Sequence, residues 1–253
     1  MMLKKWDELP DELRTEEVRK YYDILKKKKV SLFFKRAFDI AVSAVMLLVL
    51  SPVFVILAIA IKLDSPGPVF YRQVRITAYG KRFRIHKFRT MVSNADRKGS
   101  LVTVKNDSRV TRVGRLIRRC RLDEVSQLID VLIGNMTFVG TRPEVEKYVE
   151  QYTPRMMATL LLPAGVTSLA SIYYKDEAEL LNEAEDTDRT YIEKVLPGKM
   201  YYNLKSVEKF GFWGDIRVMF MTVFAVMGKK YTGDYNKTSE QVTENQDREE
   251  SKV

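Results

Sequence analysis

The sequence has a single cysteine, Cys120, and a single histidine, His86. One thiol excludes an internal disulfide framework, and one thiol with one imidazole cannot build the four-ligand cage of a structural zinc site. A reducing compartment fits. A Ser-His-Asp or Cys-His mechanism would have to run through His86, which lies in the basic, strand-like stretch "RFRIHKFRTM"; positioning or surface exposure is the commoner fate of such a residue. No small-residue cleavage site follows the one long apolar run, so that run reads as a retained segment rather than a signal peptide. Negative charge is in deficit, with 33 acidic residues against 43 basic and a formal net charge of +10. The favoured partners are therefore polyanions: nucleic acid, acidic lipid headgroups or phosphorylated small molecules. Hydrophobic residues make up 45% of the chain, which excludes a wholly disordered protein.

What is present begins with the apolar run, Ile40 to Ile61, which carries no charge. As a straight helix it would be about 33 Å long at ~1.5 Å per residue, enough to cross a ~30 Å hydrocarbon core. Its flanks argue against crossing. Lys20, Lys26, Lys27, Lys28, Lys29, Lys35 and Arg36 precede it, and Lys62, Arg72, Arg75, Lys81 and Arg82 follow it. Positive charge favours the cytoplasmic side, so both ends ask for the same face. Pro52 breaks or kinks a helix, and Ser51 beside it can bond a freed carbonyl. The arms Ile40–Ser51 and Pro52–Ile61 are about 18 and 15 Å as helices, each close to half the bilayer core. The expectation is a re-entrant hairpin that enters and returns, with a kinked spanning helix as the alternative.

Residues 1–30 are highly charged, yet Val18, Tyr21, Tyr22 and Leu25 follow the i, i+3, i+4, i+7 spacing of one helical face. That stripe needs a cover, which leaves a homo-oligomer open, and the lysines after it suit anionic headgroups. Beyond "SPGP", the stretches "VFYRQVRI" and "KRFRIHKFRTM" alternate apolar and basic residues around Tyr79-Gly80 and predict a small β-hairpin with a basic face. Leu122, Val125, Leu128, Ile129 and Leu132 predict a helix starting near Asp123 and closed by Gly134. Trp213, Ile216, Phe220, Val223, Phe224 and Met227 form a further stripe, too short to span, that suits either a core or a membrane interface. From Asn236 the chain is polar and reads as disordered. The organisation expected is a charged amphipathic helix over 1–30, a re-entrant hairpin over 31–64, a cytosolic catalytic domain over 65–232 and a polar tail over 233–253. The fold class is α+β, mostly helical, monotopic in the membrane, with the Pro-broken hairpin, a small β-hairpin and amphipathic interfacial helices.

Asp123 and Glu124 are adjacent carboxylates at a helix start, preceded by Arg115, Arg118, Arg119 and Arg121. Acidic residues are favoured there by backbone donors and the macrodipole, with the arginines as partners or solvated. The same set also suits phosphoryl chemistry, in which a carboxylate holds Mg²⁺ and arginine forks hold phosphate oxygens. A carboxylate can itself be the nucleophile, splitting one displacement into two.

In order along the chain stand "FKRAFD" (34–39), the run broken at Ser51-Pro52, "SPGPVFYRQVR" (65–75), "KFRTM" (87–91), "DSRVTRVGRLIR" (107–118), "LDEVSQLIDVLIGNMTFVGTRPE" (122–144) and "PAGVTSLA" (163–170). With these the chain resembles the small monotopic phosphoglycosyl transferases, the bacterial sugar transferase family, from about Phe34 to Tyr173. The resemblance implies transfer of a sugar phosphate from a UDP-sugar to polyprenyl phosphate at the cytoplasmic face of a bacterial membrane, with release of UMP and a requirement for Mg²⁺, and no nucleic acid among the partners. It implies Asp123 as nucleophile and metal contact, and Glu124 as its partner, acting as base or metal helper. It further implies Arg118 and Arg142 as phosphate ligands, and a membrane hairpin marked by Lys35, Arg36, Ser51 and Pro52. Where many relatives read "SLDELPQ" this chain has "RLDEVSQ"; "GPRP" becomes "GTRP"; and the usual cation-Pro-Gly element is "LPAGVTS", with no cation beside Pro163. The multi-helix membrane domain of some relatives is not seen, so the resemblance implies a minimal catalytic form. The sugar is left open among glucose, galactose and N-acetylated or dideoxy amino sugars. A non-catalytic membrane scaffold for anionic partners is the competing reading.

Overall fold

A computed structural model describes residues 3–93, 107–175, 186–229 and 231. In chain order its elements are α1 (Glu16–Lys26), α2 (Lys29–Asp64), β1 (Phe70–Ile76), β2 (Arg82–Phe88), α3 (Arg112–Arg119), α4 (Gln127–Ile133), β3 (Met136–Val139), α5 (Glu146–Val149), β4 (Ala164–Thr167), α6 (Leu169–Tyr173), α7 (Thr187–Thr190), α8 (Leu196–Glu208) and α9 (Phe212–Val226), with 3-10 turns between several of them. The expected polar tail over 233–253 lies outside the described residues.

Thr15 starts α1 by accepting from the Val18 amide, and Glu16 and Glu17 occupy its first turn, where the macrodipole favours them. Val18, Tyr21, Tyr22 and Leu25 are all buried, packed with Leu160, Leu161, Leu204 and Val207. The stripe that needed a cover finds it within the chain. Part of the cover is local, from Leu9, Leu13 and Leu32, but the rest lies more than a hundred positions away, beyond the reach of a sequence pattern.

Helix α2 departs from the expected pair of arms: it is one helix of 36 residues that runs through Pro52. Proline lacks the N–H that would bond the Leu48 carbonyl four residues back. The Ser51 hydroxyl donates to that oxygen instead, at 2.8 Å. The anticipated repair is present, and helical structure continues on both sides of Pro52. Leu32, Lys35, Asp39, Val42, Leu47, Leu50, Phe54, Leu57 and Ile61, three to five positions apart, form the face turned to the rest of the protein. The opposite face exposes Val45, Leu48, Val49, Val55, Ile56, Ile59 and Leu63.

The predicted hairpin is there, β1 antiparallel to β2 with Phe70 opposite Phe88, turned by Tyr79 and Gly80 at positive φ. A second sheet was not foreseen: β3 pairs in parallel with β4, each only four residues long. Gly140 and Gly165 let these segments approach closely, since a Cβ on Gly165 would lie 2.2 Å from the Gly140 nitrogen.

The stripe on α9 resolves toward the outside. Val218 is buried, whereas Trp213, Phe220, Val223, Phe224 and Met227 are exposed beside the apolar face of α2, against which α9 packs.

Candidate active site

Strand β2, helix α3 and the loop after β3 converge on residues 123 and 124. Thr111 caps α3 by accepting from the Gly114 amide at 3.0 Å. A Cβ on Gly114 would come 2.0 Å from the Thr90 carbonyl oxygen, so glycine permits α3 to lie tight against the end of β2. That approach lets Arg118 Nε donate to Thr90 Oγ1 at 2.8 Å.

After α3 the chain reverses at Arg121, whose φ of 56° is the left-handed conformation, costly for a residue with a side chain. It then enters a 3-10 turn, Leu122–Glu124, and the α-helix resumes only at Gln127. The helix expected near Asp123 thus begins four residues later. Gly134 closes it as expected, at φ 88°. Leu122 packs in a cluster with Phe54, Leu57 and Ile61 of α2, and Val125 in another with Phe38, Val42 and Leu50. The acidic turn is therefore straddled by both halves of the apolar helix.

His86 is a brace. Its amide donates to Asp130 Oδ2 at 2.8 Å, its Nδ1 lies 2.9 Å from Asp130 Oδ1, and its carbonyl accepts from Ser126 Oγ at 3.0 Å. These bonds tie α4 to β2, the positioning role the sequence favoured.

Glu124 Oε1 accepts from Lys87 Nζ at 2.9 Å and from Arg142 Nη2 at 2.6 Å. Burial works to raise its pKa, but the charges and hydrogen bonds of Arg142 and Lys87 outweigh it and hold the carboxyl well below the usual carboxylate range. Asp123 goes the other way. Burial first, and the Glu124 carboxylate second, push it up, against the opposing pull of Lys87 and Arg118. Asp123 makes no ion pair among the described residues. Two neighbouring carboxylates are thus driven in opposite directions by their surroundings, Glu124 toward the anion and Asp123 toward the acid.

Arg142 owes its place to the second sheet. The Gly140 amide donates to the Thr167 carbonyl at 2.9 Å, and the Gly165 amide to the Thr141 carbonyl at 2.8 Å, so the "GTRP" loop is pinned along β4. The "LPAGVTS" segment supplies this backbone scaffold.

Of the residues singled out from sequence, Asp123, Glu124 and Arg142 come into one cluster, and Arg118 is near enough to act on Asp123. Lys35, Arg36, Ser51 and Pro52 lie elsewhere. Lys35 is buried, donating to the Val139 carbonyl at 2.7 Å and paired with Asp215 at 2.6 Å. Arg36 caps the end of α4 by donating to the carbonyls of Val131 and Leu132 at 2.6 and 2.8 Å. Neither is a free flanking cation, so the basic N-terminal flank is carried by the exposed lysines at 26–29. Ser51 and Pro52 are exposed. Lys87 and Thr90, both in "KFRTM", join the site without having been expected from sequence; what marks Lys87 is the break in the buried-exposed alternation of β2 at residues 86 and 87.

No group of three or more His, Cys, Asp or Glu side chains suited to a metal occurs among the described residues. Among the described residues there is therefore no all-protein cage. A magnesium ion does not require one, since it commonly keeps its waters and takes one or two carboxylates with substrate phosphates. Asp123, outside any ion pair, fits that manner of binding.

Comparison with known proteins identifies the family of the chain. Residues 30–229 match the family model for the bacterial sugar transferases. The chain is 36% identical over 199 residues to the UDP-glucose:undecaprenyl-phosphate glucose-1-phosphate transferase of Escherichia coli K12, covering 77% of this chain and 40% of that protein. It is 33% identical over 198 residues to the UDP-N-acetylgalactosamine-undecaprenyl-phosphate N-acetylgalactosaminephosphotransferase of Aeromonas hydrophila, covering 77% and 44%. The chain thus spans less than half the length of these relatives. Against the exopolysaccharide production protein PSS of Rhizobium leguminosarum bv. phaseoli it is 36% identical over 202 residues, covering 77% of this chain and 95% of that protein. With a family model matched over residues 30–229 and a relative matched over 95% of its own length, this chain belongs to the bacterial sugar transferase family.

Proposed function

We propose that the protein moves a sugar phosphate from a UDP-sugar to polyprenyl phosphate in two displacements at Asp123. The observation that carries this reading is the opposed pair: Glu124 bound to Arg142 and Lys87, beside an Asp123 that is outside any ion pair and pushed up in pKa. In the first displacement an Asp123 carboxylate oxygen forms a bond to the sugar-bearing phosphorus, the bond from that phosphorus to the bridging oxygen breaks, and UMP leaves with the electron pair. In the second, a phosphate oxygen of the polyprenyl carrier attacks the same phosphorus and Asp123 is released as carboxylate. Neither displacement requires a proton to be removed from the nucleophile.

Arg118, held at Nε by Thr90, is placed to present its remaining N–H groups to phosphate oxygens. Arg142 and Lys87 offset the charge that would repel an anionic attacker, with Glu124 fixing both cations. A magnesium ion held by Asp123 and the diphosphate would supply further charge neutralisation.

We infer a monotopic arrangement, with both ends of α2 on the cytoplasmic side. Its support is that α2 meets the body along its whole length: Lys35 and Asp39 bond to β3 near one end, while Arg89 donates to the Ile61 and Ser65 carbonyls and Asp64 accepts from Val113 at the other. Between the two ends, Val42, Leu47, Leu50, Phe54 and Leu57 pack against the body, whereas a spanning helix needs about 20 residues surrounded by lipid. The exposed faces of α2 and α9 then dip together into the acyl layer, with the acidic turn above them.

The test is a panel of UDP-sugars with undecaprenyl phosphate and Mg²⁺, scored for UMP. Turnover with at least one sugar, abolished in Asp123→Ala, is the expected result. Silence across the panel, with salt-sensitive anion binding indifferent to Asp123, would instead support the scaffold.

A further inference from the structure

Behind the Arg142 loop lies a buried ionic cluster that the proposed chemistry does not use. Glu144, two residues past Arg142, is 8% exposed; Lys199 is 4% exposed. Tyr191 stands between them, its hydroxyl donating to Glu144 Oε1 at 2.6 Å and accepting from Lys199 Nζ at 3.0 Å, while Lys199 lies 3.6 Å from the same carboxylate oxygen. A buried charge is costly unless it is paired and hydrogen-bonded, and this one is both.

The local backbone shows what the cluster does. Tyr191–Val195 is a π turn interposed between α7 and α8. A π turn is a rare irregularity, often retained at functional positions, and this one puts Tyr191 and Lys199, eight residues apart, on one carboxylate. Glu144 in turn cannot drift. Its carbonyl accepts from the Ile76 amide at 3.0 Å, and the carbonyl of Pro143 accepts from Arg75 Nη1 at 3.1 Å. Residues 143 and 144 are thereby held from the β-hairpin on one side and from the π turn on the other, while β4 holds residues 140 and 141.

We propose that Glu144, Tyr191 and Lys199 are positioning residues for Arg142: the buried cluster fixes the loop so that the guanidinium reaches Glu124 and the phosphates. An apolar replacement of similar volume could stabilise this part of the core equally well, but it would not locate residue 144 to within a hydrogen bond. This inference rests on the role proposed for Arg142. It extends the working site from its visible cluster to residues 49 and 57 positions beyond Arg142.

The experiment is a double-mutant cycle on kcat/KM for UMP release by the full chain, in detergent or nanodiscs. Wild-type turnover is measured first; its absence would defeat the functional reading, not this one. With turnover in hand, Lys199→Met and Tyr191→Phe are each combined with Arg142→Ala. The expected result is a loss of about tenfold or more for Lys199→Met in the native background and almost no further loss in the Arg142→Ala background, because the cluster acts through that arginine. Tyr191→Phe, which keeps the ring and removes one bond, should show the same pattern with a smaller loss. Equal losses in both backgrounds would overturn the proposal and leave a merely structural cluster. Should Lys199→Met fail to fold, judged by its melting transition, Tyr191→Phe decides alone by the same criterion.

Discussion

At the scale of the residue, two adjacent carboxylates differ because their neighbours differ. Glu124 lies between Lys87 and Arg142 and is held as an anion; Asp123 is half-buried beside that anion and resists ionising. If the ionised Asp123 is the nucleophile, kcat/KM should fall as pH drops through a value raised above that of an ordinary aspartate, which a pH–rate profile measures. The same shift predicts a stability effect of known sign. Because the folded protein holds the Asp123 proton more tightly than the unfolded chain does, ionising this group destabilises the fold as pH rises through the raised value. Asp123→Asn should therefore abolish turnover, by at least about a thousandfold, while raising Tm at neutral pH; the gain should vanish at acid pH, where the aspartate is protonated in both states. Glu124→Gln has the opposite sign, leaving Lys87 and Arg142 without a counter-charge at a cost of about 1–3 kcal/mol at neutral pH, readable by denaturant unfolding. The pair itself was legible in the sequence as "LDE". Its division of labour was not, since it depends on Lys87 and Arg142, which are 37 and 18 positions from Glu124 and arrive only through the fold.

At the scale of the element, two glycines and one arginine set the site's placement. Gly114 lets α3 approach Thr90, and Gly165 lets β4 approach the Arg142 loop. Alanine at either position forces the backbones apart, an overpacking cost of about 1–3 kcal/mol, and activity should fall further than stability because Arg118 or Arg142 moves with its element. Comparing kcat/KM with Tm in Gly114→Ala and Gly165→Ala checks this. Arg36→Ala should also destabilise, by about 1–3 kcal/mol, since it strips the cap from two carbonyls of α4. The hairpin β1–β2 and the end of α4 at Gly134 could be read in advance because their signals are local: alternation, a turn, a glycine. The parallel pair β3–β4 could not, because strands of four residues separated by 24 intervening positions carry no periodicity of their own. The start of α4 was misplaced for a related reason: apolar spacing does not distinguish a 3-10 turn from an α turn when the chain reverses at Arg121.

At the scale of the whole molecule, α2 and α9 present one exposed apolar surface, and the acidic turn stands between the two halves of α2. Sequence could read the apolar run, its basic flanks and the Ser51 bond to a freed carbonyl, yet not that helical structure would run on through Pro52. The monotopic reading predicts that cysteines at positions 29 and 62, in a Cys120→Ser background, react with an impermeant thiol reagent from the same side of sealed vesicles. Labelling from opposite sides would make α2 a spanning helix. The central claim is tested most directly by omitting the polyprenyl acceptor. With a competent UDP-sugar and Mg²⁺ alone, the account predicts release of about one UMP per enzyme and a phosphosugar adduct, mapped by mass spectrometry, on the peptide bearing Asp123 and absent from Asp123→Asn. UMP released only after acceptor is added, with no adduct on that peptide, would contradict it.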